Sequence, residues 1–218
     1  MGMLPTLAKY PCGYLNLNDL AEDDPDRLGP NGENRYLDPE YAGNKIKEYH
    51  KRAGIQWSYG GYLEKRHTLW SGVKYLGEAD TFLHLGVDFN VDPGTSIAVT
   101  RPCIVVRADN DSPEEYGWGG RVIVRLKHDP VYLIYAHLNP QFVCRVGQEL
   151  ARNNILGTVG TPPYNGGWFS HFHTQALTLQ AYECFDLDIN KLDGYGKISE
   201  RGPLSRKCPD PLPYLQIW

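Results

Sequence analysis

Several absences narrow the field before any motif is considered. There is no basic tract: 22 Lys and Arg stand against 26 Asp and Glu, a formal net charge of −4. Nucleic acid and anionic membrane surfaces are therefore poor partners. No apolar run reaches 18 residues, and the start, MGMLPTLAKYPCGYL, has no apolar stretch of signal-peptide length. No transmembrane segment is expected, and the default location is cytoplasmic unless a leader has been removed. CxxC spacing is missing as well. The five cysteines (Cys12, Cys103, Cys144, Cys184 and Cys208) are odd in number and scattered, which argues against a disulfide framework or a zinc ribbon. No internal repeat is evident.

What is present favours strands and tight turns. The chain has 15 Tyr, 5 Trp and 23 Gly in 218 residues, enough length to bury a core without staples. Three regions are expected. Residues 1–75 read as an extension of mixed helix and loop. Residues 76–185 read as a mainly β, antiparallel domain, and residues 186–218 as a turn-rich tail that wraps it.

Within the extension, Asp19–Arg27 is acidic and suits a short helix or a solvated loop. Asp38-Pro39 places an N-cap before a proline at the first helical position, and PEYAGNKIKEYHKRA predicts a helix ended by Gly54. His50 on that helix reads as a surface or capping residue. His67, in YLEKRHTLW, is equally bland, with substrate contact left open. Beyond residue 76, SIAVT and CIVVRAD read as strands. GRVIVRL and VYLIYAHL flank Lys127–Pro130 as an antiparallel hairpin, so His128 is a turn residue. A further turn and strand follow at 147–160, then a loop at Thr161–Trp168 and a strand at HFHTQALTL.

Against this background three histidine features stand out. TFLHLGVDFN (81–90) sets His84 four residues before Asp88, His137 closes VYLIYAHL, and His171 and His173 form an HxH. Residues two apart on a strand share a face at roughly 6.5 Å between Cα atoms, which suits one metal ligand and one neighbour. A straight strand would hold His84 and Asp88 about 13 Å apart, whereas zinc needs ligand atoms at about 2.0–2.2 Å. The backbone must therefore turn between them, and Gly86 can supply the bend. Two histidines and a carboxylate with a fourth position left for water match an open, catalytic zinc site rather than a closed structural one. The remaining histidines could orient water, accept its proton or steady an oxyanion.

HLGVD, YAHL and HFH, in this order, resemble the lysostaphin-like zinc metallopeptidases (the M23 peptidases), whose pattern is HxxxD, a lone histidine on a later strand, and HxH. VDPGTSIAV and VGQELARNNILGTVG are similar to the family's turn and strand segments. The resemblance covers about residues 81–180. It implies an antiparallel β fold with a groove over the sheet, Zn2+ held by His84, Asp88 and His173, and His137 and His171 as the catalytic histidines. The implied reaction is hydrolysis of a peptide bond, usually in peptidoglycan stems or glycine cross-bridges.

YAHL stands where the family more often has YGHL, and HFHTQ where it has HLHFE. DNDSPEEYG (109–117), YNGGW (164–168) and CPDP (208–211) resemble M23-like domains of cytoplasmic multidomain proteins that carry a kinase-like and an aminotransferase-like domain. That likeness agrees with the missing signal peptide and weakens a cell-wall substrate. Trp118, Tyr164 and Trp168 are candidate groove-wall aromatics or packing residues. Two other functions stay open: a zinc-stabilised binding or scaffold domain, and an effector hydrolase directed to another cell's envelope.

Overall fold

The alternating side chains of VYLIYAHL send Val131, Leu133 and Tyr135 into one apolar layer and Ile134 and Ala136 into another. A sheet covered on both faces follows from that pattern. The structure, a computed structural model, describes residues 2–72, 82–111, 117–186 and 193–217, with backbone only at 184–186. Its strands are β1 (Cys12–Tyr14), β2 (Trp57–Gly60), β3 (Leu83–His84), β4 (Val87–Asn90), β5 (Ser96–Ala98), β6 (Cys103–Asp111), β7 (Gly119–Leu126), β8 (Val131–Leu138), β9 (Glu149–Leu150), β10 (Ile155–Thr158), β11 (Phe172–Thr178) and β12 (Tyr195–Gly196). Four α-helices accompany them: α1 (Leu17–Glu22), α2 (Pro39–Ala53), α3 (Leu179–Asp186) and α4 (Arg201–Lys207).

The main sheet runs β1-β2-β4-β11-β8-β7-β6-β9, and two small sheets pair β10 with β5 and β12 with β3. Every pairing in these sheets is antiparallel except β1 with β2. The mainly antiparallel β fold is thus as expected, and the hairpin over Lys127–Pro130 forms as β7 and β8. Helix α2 also begins and ends where expected. Asp38 Oδ1 accepts from the Tyr41 amide, and Gly54 closes the helix in the left-handed region at φ 67°.

The extension departs from the helix-and-loop expectation. Its β1 and β2 are strands of the main sheet, and β2 pairs directly with β4. WSYG is too short for its alternation to be read from sequence. His50 also departs from the surface placement expected of it. It faces inward from α2, 9% exposed, and its Nε2 lies 2.8 Å from Ser58 Oγ. The register Ser58↔Asn90 brings Asn90 Nδ2 to the same hydroxyl at 2.9 Å. At the other end of the chain, Leu215 and Ile217 enter the main core, and the Met3 amide donates to Gln216 O. Among the described residues, no helix is long and apolar enough to cross a membrane.

Candidate metal centre

Register builds most of the site. Asp88 on β4 pairs with His173 on β11; Gly60 on β2 flanks Asp88, and Ala136 on β8 flanks His173. Directly opposed residues hold Cβ atoms about 4.5–5.5 Å apart, so Asp88 and His173 meet across the ladder between two small neighbours. Val87 and Phe89 turn into the core below, which leaves Asp88 on the opposite face.

His84 arrives from β3, outside the main sheet. Between it and β4 the chain bends at Gly86, as the sequence requires. A Cβ there would lie 2.4 Å from the His173 ring and 2.6 Å from Thr174 O. Glycine is needed at this position because the imidazole passes over bare backbone. Strand β3 is held from two sides. The His84 amide donates to Glu64 O, Leu63 N donates to His84 O, and Tyr195 pairs with His84 from β12.

Three acceptor atoms converge. His84 Nε2 lies 3.3 Å from Asp88 Oδ1 and 3.0 Å from His173 Nδ1, and His173 Nδ1 lies 3.0 Å from Asp88 Oδ1. Tetrahedral zinc with bonds of about 2.0–2.2 Å would space its ligand atoms about 3.3–3.6 Å apart. The outward ring nitrogens are already committed. His84 Nδ1 lies 2.9 Å from Gly61 O, which can only accept, so that nitrogen carries the proton. His173 Nε2 faces Gln175 Oε1 at 3.3 Å, and the Gln175 amide nitrogen points away to Asp193 O and Cys208 Sγ. Bare lone pairs are left facing one another and a carboxylate. Burial and the nearby Arg66 charge push His84 down to about 3, against the pull of Asp88, so an imidazolium does not fill the gap. The donor set, its spacing and its missing protons fit a divalent cation.

Behind Asp88 stands an ion triad that sequence reasoning missed. Arg66 Nη1 lies 2.7 Å from Asp88 Oδ2, and Arg66 Nε donates to Glu64 Oε1 at 2.9 Å. Burial raises the Asp88 carboxyl, but His84, Arg66 and the histidine hydrogen bonds outweigh it and hold the group well below the usual range. Since His84 is neutral, Arg66 is the charge that matters near neutral pH. Nothing in YLEKRHTLW ties Glu64 and Arg66 to HLGVD. Gln175, by contrast, was findable, because it lies two residues beyond His173 on the same strand face.

His137 and His171 stand beside this group, their ring centroids 4.5 Å apart. His171 Nδ1 is committed to Phe169 O at 2.8 Å, and its Nε2 faces Asp88 Oδ1 at 3.9 Å. His137 reaches the site through a backbone irregularity. Alternation from Val131 would turn it into the core with Tyr135. The β7–β8 register instead slips between Gly120 and Val122, and His137 takes φ 62°. Such a bulge re-aims a side chain. The conformation is held by His137 N donating to Trp118 O and Gly160 N donating to His137 O. Burial and the neighbouring histidines lower the His137 pKa well below its ordinary value, and burial lowers that of His171.

Of the aromatic candidates, Trp118 is buried with its ring edge toward His173, centroids 5.5 Å apart. Trp168 donates to Tyr36 O and stands edge-on to His171. Tyr164 is exposed. His67 does not join the site; it is exposed and pairs with Glu22 at 3.0 Å. Thr81 and 112–116 of the DNDSPEEYG stretch lie outside the described residues.

A profile described as "Peptidase family M23" matches residues 82–181. Those residues belong to peptidase family M23. Members of this family are metallopeptidases. The motifs read above all fall inside the match, whereas the Glu64–Arg66 pair lies before it.

The chain is also similar to several solved structures. One is the catalytic domain of the prophage-encoded M23 protein EnpA of Enterococcus faecalis, 23% identical over 44% of this chain and 68% of that one, TM-score 0.38. Another is the catalytic domain of lysostaphin from Staphylococcus simulans, 21% identical over 61% and 78%, TM-score 0.42. A third is a zinc-containing peptidase from Vibrio cholerae, 20% identical over 44% of this chain and only 28% of that one, TM-score 0.37. No curated protein matches the chain.

Proposed function

We propose that the protein is a zinc-dependent hydrolase of peptide or amide bonds, with His84, Asp88 and His173 as the metal ligands and His137 and His171 as the catalytic histidines. The observation that carries this reading is the convergence of His84 Nε2, Asp88 Oδ1 and His173 Nδ1 within 3.3 Å, their outward nitrogens already occupied as donors. Zinc bound by that set supplies Lewis acidity to a scissile carbonyl and brings the pKa of a water to about 7.

The chain's own groups supply the rest. His171, its Nδ1 proton given to Phe169 O, keeps a bare Nε2 toward the ligand group and can hold a water or take its proton. His137 Nδ1 has no hydrogen-bond partner, so its ring is free to donate toward a developing oxyanion. Burial keeps both rings neutral at pH 7, which suits proton exchange. A peptide-like chain, with peptidoglycan stems or cross-bridges as one class, is the substrate that fits this chemistry. The test is hydrolysis of a peptide library. Cleavage should stop on chelation and return with zinc, and His171→Ala should lower it about 10²–10⁴-fold with zinc still bound. Full turnover by metal-free protein would sink the proposal.

One observation favours a second reading, a zinc-stabilised binding domain. His84, Asp88, His171 and His173 are each at most 3% exposed, leaving His137 as the half-buried member of the group. On that reading His137→Ala and His171→Ala leave ligand binding unchanged and no peptide is cleaved.

A further inference from the structure

The extension reaches the ligand group itself. We infer that Arg66, braced by Glu64, is a positioning residue that reserves Asp88 Oδ2 and so restricts Asp88 to binding the metal through Oδ1 alone. The inference rests on the zinc reading above.

The geometry is specific. Asp88 turns Oδ1 toward His84 and His173, while Oδ2 meets Arg66 Nη1 at 2.7 Å. A carboxylate with both oxygens free can chelate a metal through the pair. One whose second oxygen is held by a guanidinium binds through the first only, leaving the fourth position for water. Arg66 is 1% exposed, and its fork is shared: Nε goes to Glu64 Oε1 at 2.9 Å while Nη1 goes to Asp88. Glu64 also cancels the Arg66 charge, which would otherwise oppose a nearby cation. The Arg66 guanidinium lies 5.0 Å from the Trp70 ring centroid, and Trp70 in turn stands edge-on to His84 at 6.1 Å. Lysine could supply the charge but not the planar fork.

The site is crowded as well. Gly61 has φ 105°, and a Cβ there would meet Arg66 Nη2 at 2.4 Å and His84 Nδ1 at 2.7 Å. The turn that delivers Gly61 O to His84 thus also walls in the guanidinium. These partners all come from residues 61–70, before the matched family region.

The experiment compares Arg66→Met, Arg66→Lys and Glu64→Gln with wild type, each checked for folding by circular dichroism. Zinc affinity is measured by chelator competition and coordination by the visible spectrum of the cobalt-substituted protein. Arg66→Met should bind zinc about 10–100-fold more weakly, with its cobalt band shifted and weakened from the four-coordinate toward the five-coordinate form. Arg66→Lys and Glu64→Gln should fall between it and wild type, and they carry the test if Arg66→Met does not fold. Unchanged affinity and an unchanged cobalt spectrum in the folded variants would overturn the role of Arg66 and leave the zinc reading standing. A wild type that takes up no zinc would overturn the zinc reading itself.

Discussion

Two of the three candidate ligands lie inside the main sheet and the third lies beside it. Asp88 and His173 face each other across β4 and β11, and their position follows from register. His84 sits on the two-residue β3, held between Glu64 and Leu63 of the extension and Tyr195 of the tail. A ladder places side chains by local periodicity. A clamp places them by contacts between segments more than a hundred residues apart. The first kind of placement can be read from sequence, and the second needs the fold.

The largest expected effect comes from the sheet half. Asp88→Ala should remove zinc binding and cost about 3–5 kcal/mol in metal-free stability, because buried Arg66 loses one of its two carboxylates. Urea unfolding of both proteins without metal measures it. A loss under about 1 kcal/mol would mean that the triad contributes little to the fold.

Gly86→Ala strikes the junction between the two halves. Its Cβ meets an imidazole and a backbone carbonyl, neither of which can swing away easily. A loss of about 2–3 kcal/mol is expected, with zinc affinity reduced. Gly61→Ala strikes the clamp half. It forces alanine to φ 105° but meets the movable tip of Arg66 as well as His84. A loss of about 1–3 kcal/mol is expected, with zinc affinity falling more than metal-free stability does. If Gly61→Ala proves costlier than Gly86→Ala, the clamp, not the ladder, dominates the site.

The legible part of the molecule matches this division. HxxxD, the bend at Gly86, the β7–β8 hairpin and the α2 caps were all visible, because each depends on neighbours a few residues away. His137 was visible as a residue but not as a direction. Alternation alone points it into the core, and the bulge that turns it is set by pairing with Gly120 and Val122. The strands of the extension were missed because WSYG and CGY are too short to show a period. Glu64 and Arg66 were missed because their partner, Asp88, lies more than 20 residues on, across two strands.

The smallest effect lies at the seam between extension and sheet. Burial lowers the His50 pKa, with Asp92 pulling the other way. The unfolded chain, with His near 6.5, therefore takes up the proton first. His50 contributes stability that is full above about pH 6.5 and is lost as pH falls through its folded value. In metal-free protein, His50→Gln should flatten the fall of the urea midpoint between pH 8 and pH 5. It should not abolish it, since His84, His137 and His171 are shifted the same way. An unchanged slope would place His50 in water and weaken the seam.

The central claim is the division of four histidines into two ligands and two neighbours. Calorimetric titration of metal-free protein with zinc, repeated on His84→Ala, His173→Ala, His137→Ala and His171→Ala, tests it most directly. The account predicts one tight site in wild type, lost in the first two variants and kept within about tenfold in the last two. Tight zinc binding that survives His84→Ala or His173→Ala, or that vanishes in His171→Ala, would contradict it.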